Sequence, residues 1–339
     1  MMKVARLYDF GDIRVEEHPR PRIGPDDILV RASACGICSG DIMPWYIRRK
    51  APLVLGHEPV GVVEEVGAAV RDFIPGQRVF VHHHAPCFQC AACRRAQYVQ
   101  CPTWRGSKID PGGMAEFFAV SAVNQRDTLA LPDHVRDLDG VLVEPSACVV
   151  KSLRRSEMRP GETVAIIGLG IMGMIHVVLA RHLGAAQIIG IDLFETRARR
   201  ARELGADHGL VAGHDIVDQV RELTRGAMAD VVIVGPGTVR ALHTGLELAG
   251  KGATVLQFTA TAPGEEMTIK PHDLYFNDTR FITSYSCGPD DTRQALQLVE
   301  RGVLSADALV THSFPLEQVS EAFSTAQRQE ALKVVVTFG

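Results

Sequence analysis

An apolar strand pattern runs directly into a glycine-rich turn and then into a helix pattern between residues 163 and 183. The strand reads TVAIIG, and the turn has the spacing GxGxxG, formed by Gly168, Leu169, Gly170, Ile171, Met172 and Gly173. In a βαβ unit the first glycine makes a tight turn, the second lets the backbone approach a pyrophosphate, and the third lets the helix pack on the strand. The N–H groups at the start of the helix would bind the phosphates. The segment therefore predicts a dinucleotide-binding domain.

The next apolar strand pattern, residues 187–192, ends in an acidic residue. Asp192 lies nineteen residues after Gly173, where a carboxylate can accept hydrogen bonds from the ribose 2′- and 3′-hydroxyls. Because the same carboxylate would repel a 2′-phosphate, the predicted cofactor is NAD rather than NADP. Arg197 and its neighbours Arg199 and Arg200 either weaken this preference or only face water on a surface helix.

Strand and helix patterns alternate through the second half of the chain. Further apolar strands are predicted at residues 230–235, 253–258 and 281–286, and helices at residues 171–183, 196–204 and 239–249. Strands that are apolar on both faces and separated by helices indicate a parallel sheet covered on both sides. This half of the chain is therefore predicted to be a doubly wound α/β domain.

The first half of the chain has a different character, with short β-rich runs between glycine- and proline-rich turns. Such runs are predicted at residues 28–34, 61–66 and 77–82. After residue 287 the pattern ends with a helix at residues 291–301 and a strand at residues 333–338. We expect this last segment to return to the first domain, which would make that domain discontinuous.

Four cysteines fall within fifteen residues, with the spacing C-x2-C-x2-C-x7-C formed by Cys87, Cys90, Cys93 and Cys101. Four thiolates from one short segment can close a tetrahedral zinc site with no open position, which is the pattern of a structural site. An iron–sulfur cluster is the alternative for four cysteines. Of the preceding triplet, only His82 and His84 are expected to share a face of a strand, and neither is predicted to be a ligand.

Composition limits the classes of function. The 339 residues are 46% hydrophobic and 22% charged, as in an ordinary globular protein. A net charge of −4 argues against a broad surface for nucleic acid or membrane. We find no apolar run of about 18 residues and no secretion-signal pattern, so we expect a cytoplasmic protein without a membrane partner.

Several motifs together resemble those of the zinc-dependent medium-chain dehydrogenase/reductase family. They are CGICSGD at residues 35–41, GHEPVG at residues 56–61, the cysteine segment, GLGIMG at residues 168–173 and ALKVVV at residues 331–336. LVEPSA at residues 142–147 is most similar to the polyol (sorbitol) and threonine dehydrogenase branch. The resemblance covers essentially the whole chain.

The resemblance implies a fold and an assembly. A GroES-like, β-rich catalytic domain would comprise residues 1–155 and 288–339, with the structural zinc lobe at residues 87–101. A Rossmann domain that binds NAD would comprise residues 156–287. Homodimers or homotetramers are expected in such a family.

The resemblance also implies roles for residues in the first domain. Cys38 and His57 match ligands of a catalytic zinc, and Glu58 and Glu144 match acidic groups that bind the metal directly or through water. Asp41 matches the carboxylate that holds the His57 ring. Cys148 is an alternative to Glu144 as a ligand. One catalytic and one structural Zn²⁺ are therefore expected per chain.

The implied reaction is hydride transfer between a secondary alcohol and NAD, with the alcohol and its ketone as the small-molecule partners. A polyol, cyclitol, sugar or hydroxy amino acid is the expected substrate. Gly40 and Met43 stand where many relatives carry a proton-relay hydroxyl and histidine, so Ser39, or a water held by Glu58 or Glu144, would take the proton. The alternatives are an NADP-linked carbonyl reductase, a non-catalytic nucleotide-binding subunit, and a lyase or epimerase that uses bound NAD.

Overall fold

A computed structural model describes residues 1–328 and 331–339 of the chain. The strands are β1 Met2–Asp9, β2 Asp12–His18, β3 Ile28–Gly36, β4 Leu53–Val54, β5 Pro59–Val66, β6 Arg78–Val81, β7 Phe117–Val120, β8 Thr128–Ala130, β9 Thr163–Ile167, β10 Gln187–Asp192, β11 His208–Val211, β12 Ala229–Val234, β13 Ala249–Gln257, β14 Arg280–Thr283, β15 Val310–Pro315 and β16 Lys333–Thr337. In this described part, no helix is both long and apolar enough to cross a membrane.

The helices are mostly short in the first half of the chain and longer after residue 143. They are α1 Pro44–Arg48, α2 Ala91–Arg94, α3 Pro102–Gly106, α4 Ala122–Gln125, α5 Asp137–Gly140, α6 Val143–Ser156, α7 Ile171–His182, α8 Glu195–Glu203, α9 Ile216–Leu223, α10 Val239–Glu247, α11 Pro271–Phe276, α12 Pro289–Glu300, α13 Ala306–Leu309 and α14 Val319–Ala326. Single 3₁₀ turns occupy Ser39–Ile42, Tyr98–Gln100 and Leu316–Gln318.

The chain folds as two compact units. Unit 1 comprises Met1–Ala147 and Cys287–Gly339, and unit 2 comprises Cys148–Ser286. Unit 1 is therefore built from two separate stretches of sequence.

Unit 1 is built mainly from antiparallel strands. Its larger sheet has the order β15-β16-β3-β5-β6-β8, with β7 also paired to β3, and its smaller sheet has the order β2-β1-β4. The last strand, β16, pairs antiparallel with β3, and Val335 lies opposite Gly36. Residues of β3 are apolar and buried along most of its length, because other strands and loops cover both of its faces. The chain end thus completes a sheet that starts near residue 28.

Unit 2 contains one parallel sheet with the order β11-β10-β9-β12-β13-β14. This order reverses direction after β9, so the sheet is doubly wound, as predicted. The apolar run of β9 is buried because the strand lies in the middle of the sheet. The observed strand ends differ from the predicted ones by a few residues. The largest difference is at β13, which begins at Ala249 instead of residue 253. The short edge strand β11 and helix α9 were not predicted.

Candidate metal centres and dinucleotide site

A short segment of unit 1 brings four cysteine sulfurs together. The Sγ atoms all lie within 4.8 Å of one another, and they belong to Cys87, Cys90, Cys93 and Cys101. The sulfur of Cys101 is 3.6 Å from that of Cys87, and Cys90 and Cys93 are 3.5 Å apart. Backbone N–H groups of Gln89 and Cys90 donate to the sulfur of Cys87 and lower the pKa of its thiol. This arrangement of four thiols fits a closed tetrahedral zinc site.

A second group of possible ligand atoms lies in the loops around the 3₁₀ turn Ser39–Ile42. One atom each of Cys38, His57 and Glu58 lies within 4.8 Å of the others. Cys38 caps the turn, and its sulfur accepts a hydrogen bond from the backbone N–H of Gly40 at 3.3 Å. One thiolate, one imidazole and one carboxylate form a donor set that suits Zn²⁺.

Asp41 connects two members of this group. Its Oδ2 accepts a hydrogen bond from the backbone N–H of Cys38 at 3.2 Å, and its Oδ1 lies 3.7 Å from Nδ1 of His57. Burial alone would lower the pKa of His57, but the negative charges of Asp41, Cys38 and Glu144 raise this pKa well above its usual value. The buried carboxylate of Asp41 is therefore placed to orient the imidazole ring.

Glu58 is almost completely buried, and its carboxylate forms an ion pair with the ammonium group of Lys333. Burial raises the pKa of Glu58, and the charge of Lys333 opposes that effect. Nζ of Lys333 also donates to the carbonyl oxygen of Ile37 at 3.0 Å. A Cβ atom at Gly36 would lie only 1.9 Å from Oε2 of Glu58, so any side chain at this position in β3 would have to displace that carboxylate.

The histidine triplet adopts an arrangement that differs from the expected one. Strand β6 ends at Val81, so the alternation of faces stops before His82. One ring nitrogen each of His82 and His83 lies within 4.8 Å of the other and of a carboxylate oxygen of Glu144, which is buried in the first turn of α6. The expectation that only His82 and His84 could share a face is therefore wrong. The ring centroids of His83 and His57 are 5.0 Å apart.

The three positions considered for the proton relay, Ser39, Gly40 and Met43, offer no buried polar side chain. Ser39 is exposed, and within the described residues its hydroxyl makes no hydrogen bond. Gly40 has no side chain, and a Cβ there would lie 3.7 Å from the sulfur of Cys38. Met43 ends the 3₁₀ turn and is only partly buried.

In unit 2 the glycine-rich turn follows β9 and leads into α7. Gly168 has a φ of +86°, and Gly170 is the N-terminal cap of α7. A Cβ at Gly173 would lie 2.0 Å from the carbonyl oxygen of Gly168, so the helix can pack here only on glycine. Ile171 is buried and Met172 is partly buried in the first turn of the helix. The free N–H groups at this helix start can bind a phosphate.

Asp192 lies at the end of β10 and holds the turn in place. Its Oδ2 accepts a hydrogen bond from the backbone N–H of Leu169 at 2.6 Å, and its Oδ1 accepts one from Phe194 at 3.1 Å. Nη1 of Arg197 lies 3.9 Å from Oδ2 of Asp192, and the guanidinium stacks over the ring of Phe194. Asp192 and the glycine-rich turn thus adjoin each other, as a nucleotide site requires.

Three residues beside the candidate centres were not predicted from the sequence. Lys333 pairs with Glu58, Asp127 accepts from His82, and His83 lies beside Glu144. The charge of Lys333 inside the apolar run ALKVVV was a usable signal, because a lone buried lysine needs an acidic partner. No comparable signal marked Asp127.

Two family models and a relative of similar length match the sequence of this chain. The family model described as alcohol dehydrogenase GroES-like domain matches residues 24–133, and the model described as zinc-binding dehydrogenase matches residues 158–301. A sorbitol dehydrogenase of Rattus norvegicus is 32% identical over 341 residues, which cover 96% of this chain and 93% of that protein.

Solved structures of similar proteins share the fold over nearly the whole chain. A protein from Sinorhizobium meliloti 1021, solved with bound NADP, has 31% identity and a TM-score of 0.90 and covers 99% of both chains. The alcohol dehydrogenase TADH from Thermus sp. ATN1 has 28% identity and a TM-score of 0.89 and covers 100% of both chains. The chain therefore belongs to the family of zinc-binding dehydrogenases with an alcohol dehydrogenase GroES-like domain.

Proposed function

We propose that the protein transfers hydride between a secondary alcohol and NAD, with Zn²⁺ held by Cys38, His57 and an acidic ligand. The observation that carries this proposal is the convergence of donor atoms of Cys38, His57 and Glu58 within 4.8 Å in a zinc-binding dehydrogenase. Three protein ligands leave one coordination position for substrate. Bound there, Zn²⁺ supplies Lewis-acid polarisation of a hydroxyl or carbonyl oxygen.

The surrounding residues hold this donor set in place. Asp41 orients the ring of His57, and Lys333 holds the carboxylate of Glu58 through a buried ion pair. Glu58 and Glu144 bind the metal directly or through water. Because Ser39 is exposed, we propose that a water held by Glu144 receives the substrate proton. Glu144→Ala protein that kept both its zinc and its turnover would contradict this role.

For the cofactor, we propose NAD, whose nicotinamide ring accepts the hydride. The glycine-rich turn and the start of α7 would hold the pyrophosphate, and Asp192 would accept from the ribose hydroxyls. Arg197 supports this preference because its guanidinium already faces the carboxylate of Asp192 and the ring of Phe194. NADP is the second candidate, since the Sinorhizobium meliloti protein was solved with NADP.

A polyol is the proposed substrate class, because the chain is 32% identical to a sorbitol dehydrogenase. Cyclitols, sugars and hydroxy amino acids share the same reacting group, a secondary alcohol with polar neighbours.

The four-cysteine cluster would hold a second, structural Zn²⁺. We propose that residues 1–155 and 288–339 form the catalytic domain and that residues 156–287 form the nucleotide domain. A cytoplasmic homodimer or homotetramer is the proposed assembly.

The decisive experiment measures the reduction of NAD and of NADP by zinc-replete protein over a panel of polyols, cyclitols, sugars, threonine and simple secondary alcohols. We expect turnover with NAD on one of these groups and a kcat/KM at least tenfold lower with NADP. A higher kcat/KM with NADP would establish the second candidate cofactor. Absence of turnover with both cofactors, in protein shown to contain about two zinc ions per chain, would refute the proposed function.

A further inference from the structure

His82 is held in a way that is typical of a metal ligand. Its Nδ1 donates to Oδ2 of Asp127 at 2.6 Å, and both side chains are fully buried. The hydroxyl of Thr292 donates to the other oxygen of Asp127, also at 2.6 Å. A histidine that binds a metal through one nitrogen commonly donates its other N–H to a carboxylate in this manner. The other ring nitrogen of His82, Nε2, faces away from Asp127, and its contact is the thiol of Cys287.

His83 offers a second nitrogen that lacks a partner. Its Nδ1 is buried and, among the described residues, forms no hydrogen bond. Burial, together with the neighbouring His84 and His57, lowers the pKa of His83 well below its usual value. A buried polar atom without a partner is unfavourable because it has lost its hydrogen bonds to water. A cation bound to the ring would remove this cost.

Glu144 supplies a carboxylate oxygen to the same place. One nitrogen of each imidazole and one oxygen of Glu144 all lie within 4.8 Å of one another. Two imidazoles and a carboxylate form a donor set that binds Zn²⁺, Co²⁺ and other divalent transition metals. The thiol of Cys287 lies 3.7 Å from Nε2 of His82, so it would stand beside an ion bound there.

We propose that His82, His83 and Glu144 form an additional binding position for a divalent transition-metal ion, next to the position on Cys38, His57 and Glu58. The ring centroids of His83 and His57 are 5.0 Å apart, so the two positions adjoin each other. This proposal goes beyond the proposed function and rests on it for the zinc at the first position, and Glu144 would then serve both positions. It predicts a capacity for three metal ions per chain instead of two.

The test is a titration with Co²⁺ of metal-free protein that has been reloaded with only two equivalents of zinc per chain, followed by desalting and metal counting by mass spectrometry. We expect one Co²⁺ per chain in addition to the two zinc ions. That extra ion should be lost in His83→Ala and in His83→Gln protein, and it should be retained in His84→Ala protein. His84 is the matched control because it is the neighbouring histidine, and its Nδ1 already contacts the carbonyl oxygen of Ser107.

A second measurement on the unmodified protein does not depend on how the variants fold. Crystals soaked in Co²⁺ should show an anomalous peak at the cobalt edge about 2.0–2.2 Å from Nε2 of His82 and from a nitrogen of His83. Absence of both this peak and the extra ion, or an extra ion that persists in His83→Ala protein, would overturn the proposal. Failure of the proposed function would instead appear as missing alcohol turnover, which this titration does not measure.

Discussion

The ammonium group of Lys333 and the carboxylate of Glu58 form an ion pair in which each side chain is only 1% exposed. The pair joins the last strand of the chain to the loop that carries His57. Lys333→Met should leave the carboxylate of Glu58 buried without its cation, which typically costs about 3–5 kcal/mol. We expect a reduction of this size in the free energy of unfolding, measured by urea denaturation at fixed zinc concentration.

Lys3→Met provides the control for this prediction. Lys3 also pairs with a glutamate, Glu317, but both side chains are about half exposed. Water screens such a pair, so its loss should change stability very little. Equal effects of the two substitutions would show that burial of the Lys333 pair has no energetic consequence.

Even the methyl group of alanine should destabilise the protein at position 36. A Cβ there would lie 1.9 Å from Oε2 of Glu58, 2.7 Å from Cε of Lys333 and 2.9 Å from Cγ1 of Val141. Gly36→Ala must therefore push the Glu58–Lys333 pair apart or shift β3, and overpacking of this kind typically costs about 1–3 kcal/mol. The melting temperature and the zinc content of the variant would both report the displacement.

Gly106→Ala is the matched control for Gly36→Ala. No atom lies within 4 Å of a Cβ built at Gly106, and its φ is not positive. We expect wild-type zinc content and a melting temperature close to that of the wild type. If Gly36→Ala behaved in the same way, the packing around Glu58 would be looser than the distances indicate.

The two proposed zinc sites should be separable by cysteine substitution. Cys93→Ser removes one ligand from the four-cysteine cluster, so we expect the loss of about one zinc ion per chain and a lower unfolding midpoint. Cys38→Ser should also release about one zinc ion, but with loss of turnover and a smaller change in midpoint. Metal analysis, calorimetry and activity on the same samples would distinguish the two. Equal retention of zinc by both variants would contradict the assignment.

Asp192 should control the choice of cofactor. Asp192→Gly removes the acceptor for the ribose hydroxyls, and hydrogen bonds to charged groups contribute about 1.5–3 kcal/mol. We therefore expect kcat/KM with NAD to fall by roughly 10- to 100-fold, whereas kcat/KM with NADP should be unchanged or higher. The measurement is the ratio of the two values for each protein.

Asp207→Gly tests whether such a change is specific to the nucleotide site. Asp207 also accepts a backbone hydrogen bond, from Ile188 at 2.7 Å, and also faces an arginine, Arg181. It lies before β11, at the opposite end of that strand from the residue paired with Asp192. The ratio of NAD to NADP activity should stay at the wild-type value. A shift equal to that of Asp192→Gly would mean that general destabilisation causes both effects.

Local patterns in the sequence predicted most of unit 2, because a buried parallel strand and a fingerprint turn leave strong signals over short stretches. The edge strand His208–Val211 was missed because its residues are only partly buried and its pattern is weak. The four-cysteine cluster was predicted from its spacing, whereas Cys38, His57, Glu58 and Glu144 were predicted as ligands through motif resemblance. By contrast, the contacts of Lys333 with Glu58 and of His82 with Asp127 join residues far apart in sequence, and no local pattern encodes such pairs.

The pairing of β16 with β3 has a consequence for how the protein is made. Strand β3 ends at Gly36 and β16 begins at Lys333, so 296 residues are synthesised between one strand and its neighbour. Unit 2 is a continuous segment and can fold while the nascent chain is still attached, because domains generally fold as they emerge. The Glu58 carboxylate has no cation to pair with until Lys333 has been synthesised, 275 positions later. A ribosome that stalls between the codons for Cys287 and Lys333 therefore yields a chain that contains all of unit 2 but lacks the cation that pairs with Glu58.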